Sequence, residues 1–249
     1  MKLRLFFYFI FLAAGLIGAG FWYRHELPPN LEVPVPVVAE TSMEQPALPV
    51  PVPSLPSQVL LEVPYISEAP DGNWTGPWIN GCEEAAIAMV ESFYNGVKTV
   101  STVDARNLMQ QLFDEQNKEW GCNANSDAAR TAQLVQTLGL FKVTIKEKPT
   151  IEDIQKEVHA GRPVISLHRG FDLGNKNIPF LATGSSYHSV VVIGYDDTTQ
   201  EFITNDDGDA KTGQGKRYAY DVFMQSLHDY NYNTKLADGP ARVIFTDKP

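Results

Sequence analysis

The sequence predicts an α+β fold, with helices gathered in its first half and strands in its second. Three observations point there. After Gly81, apolar residues recur at the three-or-four spacing of one helix face (Ala85, Ala86, Met89, Phe93). Much later come short β-branched and apolar runs such as Val190-Val191-Val192-Ile193. The order of the two kinds of segment excludes a regular βαβ alternation.

Taken from the N-terminus, the chain begins with Lys2 and Arg4 ahead of an uncharged stretch from Leu5 to Tyr23. At helical rise that stretch reaches roughly 28 Å, close to one bilayer core. Residues 1–24 therefore read as a transmembrane anchor. The positive-inside tendency would put the rest of the chain on the extracytoplasmic side of the cell membrane. Cleavage near Ala19 and Gly20 is the other outcome, and it would release a secreted protein. Residues 25–58 follow as a linker holding nine of the seventeen prolines. Proline fixes φ and removes a donor, so neither helix nor sheet propagates there. From Pro28 to about Ser57, a fully polyproline-like stalk would extend on the order of 90 Å.

The folded domain is expected over 59–249. Its helices are predicted at 82–95, 103–118, 127–138, 151–160 and 221–229. Thr102 and Ser126 are expected to cap the second and third, and Thr150 with Asp153 forms a capping box for the fourth. Gly139 and Gly161 stand where left-handed stops belong. Strands are predicted at 141–146, 163–168, 188–195, 201–205 and 241–246, with Asp196-Asp197 turning a hairpin.

A net charge of −10 argues against nucleic acid, whose phosphates demand a basic surface. Cys82 and Cys122 are the only cysteines. They are too few for a structural zinc set, and no His-x-x-x-His spacing adds to them, so no metal or cofactor is expected. One disulfide between them is feasible outside the cytoplasm, but a bridged Cys82 could not also be a nucleophile.

Cys82 sits in the first turn of a helix, among unpaired N–H groups at the positive end of the dipole, a setting that favours thiolate. His188 heads a β-run behind Gly184-Ser185-Ser186, where a base for that thiol would be needed; His168 is the alternative base. Asp206 ends the next strand and would orient the imidazole, with Asn205 a close second. Asp206-Asp207-Gly208-Asp209 suggests calcium only weakly, because its spacing departs from the Asp-x-Asp-x-Asp-Gly loop.

These residues stand in recognisable company. Val63-Pro64-Tyr65-Ile66-Ser67-Glu68-Ala69-Pro70, Gly72-Asn73-Trp74, Gly81-Cys82-Glu83-Glu84-Ala85, His188 to Asp196 and Thr204-Asn205-Asp206-Asp207-Gly208 resemble the stand-alone, secreted branch of cysteine-peptidase family 39. Its founding members trim double-glycine leaders from bacteriocin precursors. The resemblance implies a papain-like fold, a peptide or protein substrate, and Cys82, His188 and Asp206 as nucleophile, base and orienting residue. It also implies a departure: Glu68 stands where such sequences commonly carry a glutamine that donates to the oxyanion. The backbone N–H of Cys82, with Asn73, Asn80 or the Trp74 indole, would then supply the donors. The competing expectation is a degenerate peptidase fold that binds peptide or cell-wall glycopeptide, suggested by Glu68 and by Trp74, Trp78 and Trp120 as exposed aromatics.

Overall fold

The computed structural model describes residues 55–175, 187–209 and 211–249. The chain divides after Pro51, and every described residue belongs to the unit Val52–Pro249. The expected anchor and most of the Pro-rich linker thus lie outside the described residues. Among the described residues, no helix is long and apolar enough to cross a membrane.

The elements run β1 (Gln58–Leu60), a 3-10 turn (Gly76–Asn80), α1 (Cys82–Tyr94), α2 (Thr102–Trp120), α3 (Ala128–Leu138), β2 (Lys142–Glu147) and α4 (Ile151–His159). They continue with β3 (Val164–Arg169), α5 (Gly170–Leu173), β4 (Tyr187–Asp196), β5 (Glu201–Asn205), β6 (Lys216–Ala219), α6 (Tyr220–Ser226) and β7 (Arg242–Asp247). The fold is α+β, with an antiparallel sheet in the order β2-β7-β3-β4-β5-β6. β1 pairs with the far end of β4, beyond the reach of β3.

β4 is buried along its whole length because both faces of the sheet are covered, which is why its sequence is a continuous apolar run rather than an alternating one. Val191 and Ile193 face a core shared with Ile87, Met89, Phe113 and Leu134 from α1, α2 and α3. Val190, Val192 and Tyr195 face a second core with Ile154, Val158 and Phe223 from α4 and α6.

Several local expectations are corrected. Ser101, not Thr102, caps α2 by accepting from the Asp104 N–H, and Asp127, not Ser126, caps α3 by accepting from Arg130. In each case the oxygen that reaches the free N–H belongs to the residue one position away. The Thr150–Asp153 capping box forms as expected. α6 stops at Ser226 because Leu227 is drawn into a bridge with His168, and the His228 N–H donates to the Leu167 carbonyl at 3.0 Å. Trp78 is buried, with Trp74 and Trp120 half-buried, so none of the three is an exposed aromatic. β1, β6, α5 and the 3-10 turn are short elements that the sequence pattern did not announce.

Candidate active site

Cys82 is the first residue of α1, and the helix packs against β4, the strand that carries His188. Gly81 makes the approach of the helix start to α2 possible. A Cβ there would lie 3.0 Å from Phe113 Cζ and 3.1 Å from Met109 Cε, while its φ of −95° is open to any residue. The glycine is thus explained by space rather than by a tight turn.

His188 and Asp206 meet. The imidazole Nε2 lies 2.8 Å from Asp206 Oδ1, and both residues are wholly buried. Asp206 also accepts from Asn175 Nδ2 at 2.8 Å and from the Tyr218 hydroxyl. Burial pushes its carboxyl upward, but the His188 charge and these three hydrogen bonds outweigh it and hold the group below its ordinary value. Tyr65 binds the loop from outside, donating to the Asp206 and Asp209 carbonyls at 3.1 and 2.8 Å.

Asn205 is occupied elsewhere. Its Nδ2 donates to the Val63 carbonyl at 3.1 Å and its Oδ1 accepts from Gly215 N–H, which pins β5 to the segment entering the site. His168, the other candidate base, stands directly across from His188 on β3, yet its nitrogens are engaged by Ser226 and Ser166, each at 2.8 Å. Burial, followed by the charge of His188, drives its pKa well down, so it is a neutral core histidine. Asn73 lies in an exposed turn, accepting from Thr75 Oγ1 at 2.7 Å. Asn80 closes the 3-10 turn next to Gly81, half-buried.

The setting of the thiol differs from the expectation. Cys82 is 2% exposed, and its Sγ donates to Glu83 Oε2 at 3.1 Å. Burial, then the charges of Glu83, Glu68 and Asp207, push its pKa well above the usual thiol range. The helix terminus favours thiolate, but in this arrangement the surrounding carboxyls and the lack of water outweigh it. No disulfide is formed: Cys82 is buried and Cys122 is exposed, each as a free thiol.

The carboxyls themselves are buried. The Ser126 N–H donates to Glu83, and Gln116 Nε2 donates to Glu84 and, at 3.0 Å, to Ser126 Oγ. Tyr187, beside His188, donates to the Ser126 carbonyl at 2.6 Å. The loop between α2 and α3 thus ties the first turn of α1 to the start of β4. Burial raises Glu83 to about 7. It raises Glu84, Glu68 and Asp207 well above their ordinary values, with neighbouring carboxyl charges adding to the shift. Neither oxygen of Glu68 or of Asp207 has a hydrogen-bond partner among the described residues, although Glu68 N–H donates to the Asp207 carbonyl at 3.1 Å.

His188, Asp206 and Asp207 offer ligand atoms within 4.8 Å of one another. A cation there would have to displace the His188–Asp206 hydrogen bond, so the donor set reads as a hydrogen-bonded pair rather than a metal shell. Asp209 serves its own turn, accepting from Thr212 N–H at 2.9 Å and Lys211 N–H at 3.1 Å. A groove of about 800 Å³ beside β1, lined by Leu60, Val63, Lys98, Ile203 and Arg217 among others, includes none of Cys82, His188 or Asp206.

Tyr218, Asn175, Ser126 and Gln116 support this site and were missed in the sequence. Each is a common polar residue whose role depends on a distant partner. Asp207 was noticed only as part of an acidic run.

Among solved structures, the fold is similar to that of a putative C39-like peptidase from Bacillus anthracis. The two share 18% identity at a TM-score of 0.50, over 78% of this chain and 99% of the other. Xylellain, a cysteine protease from Xylella fastidiosa, also aligns, at 17% identity and a TM-score of 0.41 over 79% of this chain and 87% of the other. No curated protein sequence matches. The sequence profile of the Peptidase_C39 like family matches residues 60–238, and by that match the chain belongs to this family.

Proposed function

We propose that the chain is a membrane-anchored, extracytoplasmic cysteine peptidase of papain-like design that cleaves amide bonds through Cys82, His188 and Asp206. The observation that carries this reading is the 2.8 Å hydrogen bond between buried His188 Nε2 and Asp206 Oδ1, on the strand against which the Cys82 helix packs. The anchoring rests on the apolar stretch from Leu5 to Tyr23 behind Lys2 and Arg4.

With Nε2 held by Asp206, Nδ1 is the ring atom that takes the thiol proton. The thiolate attacks the carbonyl carbon, and the imidazolium then protonates the leaving amine. Water, deprotonated by the imidazole, hydrolyses the thioester. The oxyanion is held by the backbone N–H of Cys82, unpaired in the first helical turn, and by Glu68. A carboxyl so buried stays protonated, and its O–H donates as a glutamine N–H would.

A thiol at 2% exposure attacks a peptide only when the groups above it move apart. That closure favours a second reading, a weakly active module that holds peptide or glycopeptide without cutting it. Both are tested with a quenched-fluorescence peptide library and with iodoacetamide labelling. Cys82→Ala abolishes cleavage and labelling at that position, and Asp206→Asn slows cleavage by about 10²–10⁴. Cleavage unaffected by Cys82→Ala overturns the first reading. Turnover that depends on Cys82 overturns the second.

A further inference from the structure

We propose that a stack of rings and cations beside the site selects substrates with an acidic side chain a few residues from the bond that is cut. This deepens the peptidase reading and rests on it.

Arg130, in the first turn of α3, lies against two rings. Its Cζ lies 4.3 Å from the centroid of Tyr232 and 5.1 Å from that of Trp120. Lys235 Nζ stands 5.6 Å from the same Tyr232 ring. Among the described arginines, Arg130 alone has no carboxylate within ion-pair distance; Arg106, Arg162, Arg169, Arg217 and Arg242 each have one. Lys235 likewise has none among the described residues. In a chain of net charge −10, Arg130 thus keeps a guanidinium charge that no described carboxylate meets. Asp127, the acid nearest in sequence to Arg130, spends its side chain capping the Arg130 N–H.

The stack reaches the site by a ladder of rings. Tyr232 meets Tyr230 edge-on at 5.1 Å, and Tyr230 meets Tyr187 at 5.3 Å. Tyr187 precedes His188. From Tyr187 to the guanidinium the ladder spans at most about 15 Å, which an extended peptide covers in roughly four residues.

Cation–π contacts at Cζ cost the guanidinium none of its N–H edges. Those edges match a carboxylate bidentately, in surroundings half withdrawn from water. The occupant that fits is therefore an acidic side chain of a peptide, rather than a basic or neutral one.

The test uses peptides identical except at one position, which carries Glu, Gln or Lys and is scanned over four residues on each side of the cleaved bond. At one position the wild type cleaves the Glu peptide about tenfold better in kcat/KM than the Lys peptide, as one charge-assisted pair allows. Arg130→Gln removes that preference through KM. Arg130→Lys restores only part of it, and the exposed change Lys235→Gln weakens it with little risk to folding. Binding of the fluorescently labelled Glu and Lys peptides to Cys82→Ala protein gives the same ranking without turnover, so failure of catalysis and failure of selectivity separate. Equal binding of both peptides, or a preference that survives Arg130→Gln, overturns the proposal.

Discussion

Raising the pH from 5 to 8 destabilises this fold, and Glu83 alone accounts for a measurable share. Its carboxyl is lifted from an ordinary 4.5 to about 7, chiefly by burial. The folded chain keeps that proton over a range where the unfolded chain has already released it. The associated stability is complete below about pH 4.5 and is lost as the pH rises to about 7. At about 1.4 kcal/mol per pH unit this amounts to roughly 3 kcal/mol. Glu68, Glu84 and Asp207 are shifted the same way and deepen the fall. Asp206 is shifted oppositely, so its contribution is lost only on acidification below that range. For a domain of this size the Glu83 share corresponds to a drop of about 10 °C in Tm. Thermal melting followed by circular dichroism at pH 5, 6, 7 and 8 measures it. Glu83→Gln keeps an acceptor for the Ser126 N–H but does not titrate, so its melting curve is flatter by about that amount. A wild-type Tm that is level or rises from pH 5 to 8, or a variant with the full wild-type slope, refutes the argument.

Two further outcomes follow from the loop and from Glu68. A Cβ on Gly213 would fall 2.0 Å from the Asp206 carbonyl oxygen and 2.4 Å from that of Asp209. Gly213→Ala must therefore push the Asp206 loop outward, at a cost of about 1–3 kcal/mol in urea unfolding and with a loss of activity larger than that of a surface control. Glu68→Gln supplies a donor at every pH. On the proposed mechanism it extends the alkaline limb of the kcat/KM profile, whereas Glu68→Ala lowers kcat about 10²-fold or more at all pH values; a pH–rate profile unchanged in both variants removes Glu68 from the mechanism.

Legibility in the sequence followed the range of the interactions. The α1 helix was readable because apolar residues recur every three or four positions, although the fold buries every residue from Cys82 to Val90, and β4 because its burial on both sides leaves an uninterrupted apolar run. The pairing of His188 with Asp206 was within reach once the Asp196-Asp197 hairpin was drawn, since neighbouring strands bring such groups together. The choice between Asp206 and Asn205 was not, because it turns on Val63 and Gly215, which hold Asn205 from distant parts of the chain. The helix caps at Ser101 and Asp127 were each missed by one residue, since at each helix start two adjacent residues can supply the capping oxygen.

The largest departure concerns charge. Glu83 and Glu84 in the sequence fit the dipole preference of a first helical turn, with negative charge that would raise the thiol pKa. Gln116 of α2 and Ser126 of the following loop cover them, and no local pattern announces that cover. Burial brings the Glu83 charge to bear on the neighbouring sulfur without water to screen it, and that charge pushes the thiol pKa up. If these acids were all ionised, a thiolate among them would meet several negative charges in a medium that screens them poorly. When Glu68 and Asp207 hold their protons, the shift of one proton from Cys82 to His188 adds no net charge and meets far less repulsion. On the proposed mechanism the protonated carboxyls are therefore a condition for forming the thiolate–imidazolium pair. The same burial that raises the thiol pKa raises those carboxyls and favours their neutral form, and on the proposed mechanism the helix terminus and Asp206 favour the charged pair only while that form lasts.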